Sequence, residues 1–140
     1  MQPGVVIVGG GQAGLEAAAV LRTQGCEGTL TLICEEPHAP YQRPPLSKEF
    51  LTGKQEVDRV FLRTLAYYER QSIDLILDER ATEINAGAKL VHLAGGGTVP
   101  YAHLILAVGA RNRQLPATGA ENVLYLRSLD EAVTLKQRIA

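Results

Sequence analysis

The sequence predicts an α/β fold in which a parallel sheet and its helices carry an inserted antiparallel β-meander. Two continuous apolar runs, Val5–Val8 and Leu30–Cys34, are typical of strands that are covered on both faces. A glycine cluster and an Ala/Leu-rich segment separate them, which gives a strand–turn–helix–strand unit of about 30 residues. A hairpin-like alternation from Ala81 to Val99 predicts the antiparallel part.

The predicted elements follow in order along the chain. A first helix runs from Leu15 to about Gln24 and ends where Gly25 can adopt the left-handed conformation. Four prolines fall between positions 37 and 45, and their missing N–H groups and fixed φ angles predict a long loop without a regular element. The next elements are a short helix after its N-cap Ser47, a helix over Thr64–Gln71, a strand with Ile73, Leu75 and Leu77, the strands Thr82–Asn85 and Lys89–Leu93, a turn at Gly95–Gly97, and a buried strand over His103–Ala107 that Gly109 closes.

A last helix is predicted at the end of the sequence. Residues 128–131 read Ser-Leu-Asp-Glu, the spacing of a capping box, in which the first and fourth side chains each bond the other residue's backbone N–H. Apolar residues then recur at helical spacing and predict a single apolar face. These residues are Leu129, Ala132, Val133 and Ile139.

The composition limits the class of protein. With 140 residues and 15.1 kDa, the chain has about the length of one domain. Its 14 basic and 15 acidic residues give a net charge of −1, so charge offers no argument for nucleic acid or an anionic membrane surface as a partner. Hydrophobic residues make up 46% and charged residues 21%, which excludes wholesale disorder.

Other sequence features concern the compartment and metals. No run approaches the roughly 18 apolar residues of a membrane span, and the opening Met1-Gln2-Pro3-Gly4 lacks the positive region of a secretory signal. Cys26 and Cys34 lie eight positions apart, a spacing that fits neither a zinc knuckle nor a redox dithiol, and none of the three histidines shows ligand spacing with them. We therefore expect a cytoplasmic protein without a metal site.

The glycine cluster fits the pattern G-x-G-x-x-G with Gly9, Gly11 and Gly14, directly after a strand and before a helix. Gly9 permits the sharp turn, a side chain at position 11 would keep a pyrophosphate from the backbone, and one at position 14 would hold the helix away from the sheet. The phosphates then lie at the helix N-terminus, where unpaired N–H groups and the macrodipole favour negative charge. This motif predicts a Rossmann-like dinucleotide-binding fold.

A carboxylate at the end of the second strand supports this prediction. Glu35 lies 21 residues after Gly14, where a carboxylate can accept hydrogen bonds from both hydroxyls of an adenosine ribose and would repel a 2′-phosphate. Glu36 follows directly, and the sequence leaves open which of the two reaches the ribose.

Residues 40–48 read Pro-Tyr-Gln-Arg-Pro-Pro-Leu-Ser-Lys, which resembles a motif specific to the FAD-dependent ferredoxin and rubredoxin reductases of bacterial oxygenase systems, relatives of apoptosis-inducing factor. The resemblance covers the whole chain, through the glycine motif, Ala107–Arg111 and Leu126–Leu129. It implies FAD bound at this first glycine motif. It also implies hydride transfer from NADH to the flavin and single-electron transfer to a [2Fe-2S] ferredoxin or a rubredoxin.

The same resemblance implies roles for residues near the adenosine end of FAD. Ala13 resembles the backbone N–H donor to the pyrophosphate, and Glu35 resembles the ribose ligand. Ala81, after the third strand, resembles the position whose backbone meets the adenine.

Three charged residues resemble positions near the flavin. Lys48 resembles a catalytic lysine at the flavin N5 edge, where an ammonium would stabilise negative charge on the reduced ring. Arg43 resembles a residue that contacts the phosphates or the flavin, and Arg127 resembles the arginine that closes on FAD. The cofactor-binding residues expected in total are Gly9, Gly11, Gln12, Ala13, Gly14, Glu35, Arg43, Pro44, Lys48, Ala81, Ala107, Gly109 and Arg127.

Two features depart from that family. Val108 replaces a threonine at the end of the fourth buried strand, which removes a hydroxyl near the cofactor. The NADH-binding and C-terminal domains are expected beyond residue 140, so residues 1–140 resemble the N-terminal portion of an FAD-binding domain. Two other interpretations stay open, a non-catalytic FAD-binding fragment and an ordinary NAD-binding domain.

Overall fold

A mixed sheet forms the frame of the chain in this computed structural model, which describes residues 3–139. Its strands are β1 (Gly4–Val8), β2 (Leu30–Ile33), β3 (Asp74–Ile76), β4 (Ala81–Asn85), β5 (Leu90–Leu93) and β6 (Thr98–Leu106). They lie in the order β3-β2-β1-β6-β5-β4, with the neighbours among β3, β2, β1 and β6 parallel and the pairs β6-β5 and β5-β4 antiparallel. The predicted α/β fold, with a parallel sheet and an inserted antiparallel β-meander, is confirmed.

The described residues form three α-helices, α1 (Gln12–Thr23), α2 (Leu65–Arg70) and α3 (Leu129–Ile139). α1 begins earlier than predicted because residues of the glycine motif form its first turn. It ends before Gly25, whose φ of +84° is the left-handed conformation expected of a helix stop. Within residues 3–139, no helix is both long and apolar enough to cross a lipid bilayer. Met1 and Gln2, on which the expectation about a secretory signal partly rests, lie outside the described residues.

The chain divides into two compact units. The first contains the described residues up to 41 together with residues 62–109, and so holds the whole sheet with α1 and α2. The second contains residues 42–61 and 110–139, with α3 and the 3₁₀ helices Pro44–Ser47, Val57–Arg59 and Ala120–Asn122. The glycine motif and Glu35 therefore belong to the first unit, whereas Arg43, Lys48 and Arg127 belong to the second.

Strand β1 is covered on both faces, as its unbroken apolar run predicts. Val6 and Val8 pack with Ile33, Val91 and Tyr101 in a buried cluster, so residues of the meander close one face. Ile7 lies between these two valines and therefore points to the opposite face, where it is fully buried. α1 packs there against β1 and β2.

The last strand, β6, is longer than predicted and takes part in both halves of the sheet. Residues 98–100 pair with β5, and Tyr101 and later residues pair with β1. The parallel pairing predicted for His103–Ala107 is confirmed, but the prediction that this segment is buried is wrong, because His103 is exposed and Leu106 is 57% exposed. Among the described strands, only β1 pairs with this half of β6.

One arginine joins two loops that are distant in the sequence. Arg22, in the last turn of α1, donates hydrogen bonds from its guanidinium to four backbone carbonyls. They are those of Cys26, Gly28 (2.8 Å), Gln71 (2.8 Å) and Ser72 (2.6 Å). Because a guanidinium offers five donors in a fixed plane, a single side chain can bond backbone carbonyls both in the turn after α1 and in the turn after α2.

The proline-rich segment corrects two predictions. No helix follows Ser47 directly; a 3₁₀ helix over Pro44–Ser47 comes before it. The expectation that the prolines exclude every regular element is also wrong, because Pro44 and Pro45 occupy the first two helical positions, where no N–H donor is needed. This helix packs against α3. The buried apolar residues of the second unit are Leu46, Phe50, Val60, Leu129 and Ala132.

The start of α3 confirms the predicted capping box. The backbone N–H of Glu131 donates to Ser128 Oγ at 3.2 Å, and Glu131 Oε2 accepts from the backbone N–H of Ser128 at 3.0 Å. The same oxygen also accepts from the N–H of Arg127 at 2.6 Å. At the far end of the helix, Ile139 is 62% exposed and does not extend the buried face as its spacing predicted.

Two glycines allow close backbone contacts at the end of β1. Gly9 has a φ of +121°, and a Cβ placed there would lie 2.1 Å from the carbonyl oxygen of Ala107. A Cβ on Gly14 would lie 2.0 Å from the carbonyl oxygen of Gly9 and 3.2 Å from Leu32 Cδ1. The shortest distance at each glycine is to a backbone atom, so a side chain at Gly9 would disturb the contact between the ends of β1 and β6, and one at Gly14 would force α1 away from β1.

We expect Gly14→Ala to lower the free energy of unfolding by about 1–3 kcal/mol, because the new methyl group overlaps backbone that cannot move without shifting α1. Gly11→Ala is the matched control. Its φ of −86° suits alanine and a Cβ there meets nothing within 4 Å, so we expect a change within about 0.5 kcal/mol. Urea denaturation followed by circular dichroism measures both. Equal destabilisation by the two variants would contradict this account of the close approach.

Cys34 gives a prediction about reactivity and pH. The side chain is 1% exposed, and burial, with a smaller contribution from the charge of Glu36, raises the pKa of its thiol from 9.0 to about 12. We expect iodoacetamide at pH 8 to alkylate Cys34 only after the chain is unfolded, since the thiolate is the reactive form. Peptide mass spectrometry with and without urea measures this, and half-buried Cys26 serves as the internal comparison.

The same pKa predicts how stability depends on pH. Above about pH 9 the unfolded chain loses the Cys34 proton while the folded chain keeps it. This contribution to stability is therefore complete below pH 9 and decreases as the pH rises toward 12.

The alkylation experiment also has an outcome that would contradict this account. If Cys34 were alkylated in the native chain at the rate seen in urea, its thiol would not be buried.

Candidate functional site

The glycine motif lies where three parallel strands of the first unit end. The N–H of Gly9 donates to the carbonyl of Ile33 at the end of β2, and the N–H of Ala107 donates to the carbonyl of Val8, at 2.9 Å and 2.8 Å. Gly10 is held against β2, since a Cβ on it would lie 2.3 Å from Cys34 Sγ. The predicted site residue Ala107 is thus adjacent to the motif, and Gly109 follows with a φ of +66°.

The motif has open space at Gly11. A Cβ on Gly11 would meet no atom within 4 Å, in contrast to those on Gly9 and Gly14. Gly11 is the N-cap of α1 and offers no capping side chain, and the first turn of the helix contains no acidic residue. Gln12 and Ala13, which form that first turn, are exposed. Open space beside unpaired N–H groups at a helix N-terminus is the arrangement that binds phosphate groups.

The two carboxylates after β2 have different surroundings. Glu36 is half-buried, and its Oε2 accepts a hydrogen bond from the hydroxyl of buried Tyr41 at 2.5 Å. The Glu35 side chain is 53% exposed and lies beside Arg80, with 3.9 Å between Arg80 Nε and Glu35 Oε1. Glu36 therefore contributes to the packing of the loop, while the Glu35 side chain is exposed near the carboxyl edge of the sheet.

The segment after β3 runs alongside the end of β2. The N–H of Asp78 donates to the carbonyl of Glu36 at 3.1 Å, and the N–H of Glu79 donates to that of Cys34 at 3.0 Å. These bonds bring Arg80 to Glu35. No motif in the sequence singles out Arg80, although its position after a strand that is parallel to β2 is a signal that it lies at the same edge of the sheet.

Ala81, expected near the adenine, is half-buried at the start of β4 and packs against the cluster that contains Val91 and Tyr101. Ala81 is thus the first residue of β4 and directly follows Arg80. Val108, the residue that departs from the expected pattern, is 68% exposed between Ala107 and Gly109.

Two of the predicted site residues in the second unit contact each other. Arg43 is half-buried, and its Nη1 donates to the carbonyl oxygen of Arg127 at 2.6 Å. This bond links the residue before the Pro44–Ser47 helix to the residue before the α3 cap. Pro44 and Lys48 are exposed at the two ends of that 3₁₀ helix. In the part of the chain that the structure describes, no group of three or more His, Cys, Asp or Glu side chains is arranged to hold a metal ion.

Two curated proteins are similar in sequence to nearly the whole of this chain. The sequence is 44% identical over 138 residues to rhodocoxin reductase of Rhodococcus erythropolis and 39% identical over 137 residues to rubredoxin-NAD(+) reductase of Pseudomonas putida. These alignments cover 97% and 96% of this chain but 32% and 36% of the relatives. The chain therefore spans about a third of the length of the curated relatives that it matches.

A solved structure shows the same fold. The ferredoxin reductase for the CYP199A2 system of Rhodopseudomonas palustris superposes with a TM-score of 0.93 and 41% identity, covering 99% of this chain and 34% of that one. The profile of the family described as pyridine nucleotide-disulphide oxidoreductase matches residues 3–140. A match over nearly the whole sequence, with relatives above 30% identity, establishes that the chain belongs to the pyridine nucleotide-disulphide oxidoreductase family.

Proposed function

We propose that this chain binds the adenosine and pyrophosphate part of FAD in an NADH-dependent reductase of a ferredoxin or a rubredoxin. The observation that carries the proposal is the open space at the glycine motif, where a Cβ on Gly11 would meet no atom within 4 Å and where Gln12 and Ala13 are exposed. The names of the relatives, which are reductases of rhodocoxin and of rubredoxin with NAD(+), support the reaction class.

The residues fit a dinucleotide. Gly11 leaves room for a pyrophosphate that any larger side chain would fill, and the exposed N–H groups at Gln12 and Ala13 would donate to it. The α1 macrodipole adds a favourable interaction with this negative charge. Glu35, at the end of β2, would accept hydrogen bonds from the ribose hydroxyls.

The proposed activity is a hydride transfer followed by electron transfer. FAD, when bound, supplies the ability to accept two electrons together and to release them singly. The protein's contribution is to position the cofactor, because hydride transfer between stacked rings depends mainly on geometry. The acceptor that we propose is a [2Fe-2S] ferredoxin or a rubredoxin. Since the chain spans a third of its relatives, this activity is proposed for a protein of their length.

The second unit carries the residues expected near the flavin. We propose that Lys48 lies at the flavin and that Arg43, Pro44 and Arg127 contribute to cofactor binding, as their resemblance to the reductase motif implies. The bond from Arg43 to the carbonyl of Arg127 supports a joint role for these two residues. Residues 1–140 would then form the N-terminal portion of an FAD-binding domain. We also propose a reducing, cytoplasmic location, in keeping with two free cysteines.

We expect the wild-type chain to bind FAD and Gly11→Ala to weaken binding by on the order of tenfold or more, because the methyl group enters the space of the pyrophosphate. Titration with FAD, followed by the quenching of flavin fluorescence, measures the affinity. The thermal unfolding midpoint of Gly11→Ala without FAD shows whether the variant is folded. Wild-type protein that binds no FAD would contradict the proposed cofactor.

Anaerobic addition of NADH to the FAD-loaded protein extends this test to the reaction. Bleaching of the visible flavin bands supports a reductase, whereas bands that stay oxidised point to the non-catalytic FAD-binding fragment. Binding of NAD(H) in place of FAD would favour the ordinary NAD-binding domain.

We expect Glu35→Gln to weaken FAD binding by about five- to tenfold, because hydrogen bonds to a charged acceptor are stronger than those to an amide. Glu36→Gln is the matched control, since glutamine can still accept the hydrogen bond from Tyr41. We expect its FAD affinity to stay within about twofold of wild type, because this variant removes a charge that, in our proposal, does not contact the ribose. The same fluorescence titration measures both variants. A larger loss for Glu36→Gln than for Glu35→Gln would reverse the assignment of the ribose ligand.

A further inference from the structure

We propose that Arg80 is a positioning residue that holds the Glu35 carboxylate at the ribose site through its charge. The inference rests on the proposed function and assigns to it a residue outside the glycine motif. Arg80 Nε lies 3.9 Å from Glu35 Oε1, and both side chains are more than half exposed, at the edge where β2 and β3 end.

The backbone of Arg80 is fixed from two sides. Its carbonyl accepts a hydrogen bond from the N–H of Ala94 at 2.9 Å, which ties it to the turn after β5. The preceding residue, Glu79, donates its N–H to the carbonyl of Cys34 at 3.0 Å, and its Oε2 accepts from the N–H of Gly95 at 3.2 Å. The guanidinium therefore extends toward Glu35 from a backbone that is bonded both to the end of β2 and to the meander.

The length of the contact defines how Arg80 acts. A separation of 3.9 Å is an ion pair and exceeds the length of a hydrogen bond. A bidentate guanidinium would engage both oxygens of the carboxylate and so compete with a ribose for them. The observed contact attracts the carboxylate without that competition, and it restricts the directions in which a solvent-exposed side chain can turn.

The charge of Arg80 has a second effect on the site. The pyrophosphate expected at Gly11 is negative, and so is Glu35, the side chain needed for the ribose. An arginine beside Glu35 offsets its charge, so that the carboxylate can accept hydrogen bonds with less repulsion of the phosphates. Both effects act through Glu35, which distinguishes them from a direct contact between Arg80 and the cofactor.

A double-mutant cycle with FAD affinity as the readout tests the proposal. We expect Arg80→Gln to weaken FAD binding by about two- to fivefold, the range of an exposed ion pair. Arg80→Lys keeps the charge, and since the contact is not bidentate we expect it to restore binding to within about twofold of wild type. In a Glu35→Gln background, Arg80→Gln should have no further effect. Arg70→Gln, at an exposed arginine of α2, is the control for a general loss of positive charge.

Two further readouts separate positioning from a structural role. The thermal unfolding midpoint of each variant without FAD should match that of the wild type, and the difference between wild type and Arg80→Gln should decrease in 1 M salt, where the Debye length is about 3 Å. The Nε–Hε resonance of Arg80 in NMR spectra should shift in Glu35→Gln, which tests the ion pair without any ligand.

Three outcomes would overturn the inference. Unchanged FAD affinity in Arg80→Gln, or an equal loss in the wild-type and Glu35→Gln backgrounds, would show that Arg80 does not act through Glu35. An Arg80 Nε–Hε resonance with the same chemical shift in wild type and in Glu35→Gln would show that the ion pair does not form. Wild-type protein that binds no FAD would overturn the proposed function as well, and so is distinguishable from a failure that concerns Arg80 alone.

Discussion

The close approach of α1 to β1 is the constraint on which the rest of the first unit depends. A single Cβ at Gly14 would lie within 2.0 Å of the Gly9 carbonyl, so the start of the helix and the end of the strand are in contact through their backbones. Gly10 likewise lies against Cys34 and Gly9 against Ala107, so the ends of β2 and β6 lie close to the glycine motif. The helix N-terminus thereby lies at the edge of the sheet where the strands end, the usual place of ligands in such folds.

Glu35 and Glu36 are neighbours with identical side chains, but their carboxylates have different surroundings. Glu35 and Glu36 lie in a bend shortly after the end of β2. One side of this segment lies against the buried ring of Tyr41, and the hydroxyl of Tyr41 donates a hydrogen bond to the Glu36 carboxylate. The other side meets solvent and Arg80, so Glu35 keeps the character of a surface group. The Glu36 carboxylate is bonded to a buried hydroxyl, whereas the Glu35 carboxylate lies at the surface beside Arg80.

Local patterns predicted more of the fold than of the site. The glycine motif, the stop at Gly25 and the capping box of α3 follow from interactions within a few residues, and each is present as predicted. The prediction of a helix after Ser47 is wrong because Pro44 and Pro45 begin a 3₁₀ helix before it, and this helix packs against α3. The exposure of Leu106 depends on which strand lies beside β6, a property that no window of its own sequence contains. The pairs Arg80–Glu35 and Tyr41–Glu36 likewise join side chains that only the folded sheet and its loops bring together.

The position of β1 at the centre of the sheet has a consequence for how the chain is made. One neighbour, β2, follows about 25 residues later, but the other, β6, follows only about a hundred residues later. During synthesis on the ribosome, β1, α1 and β2 can assemble early, while the second edge of β1 keeps unpaired N–H and C=O groups until β6 has emerged. An exposed strand edge is a template for pairing with another chain. The interval between these two pairings is therefore the stage at which the nascent chain is most vulnerable to association with its own copies.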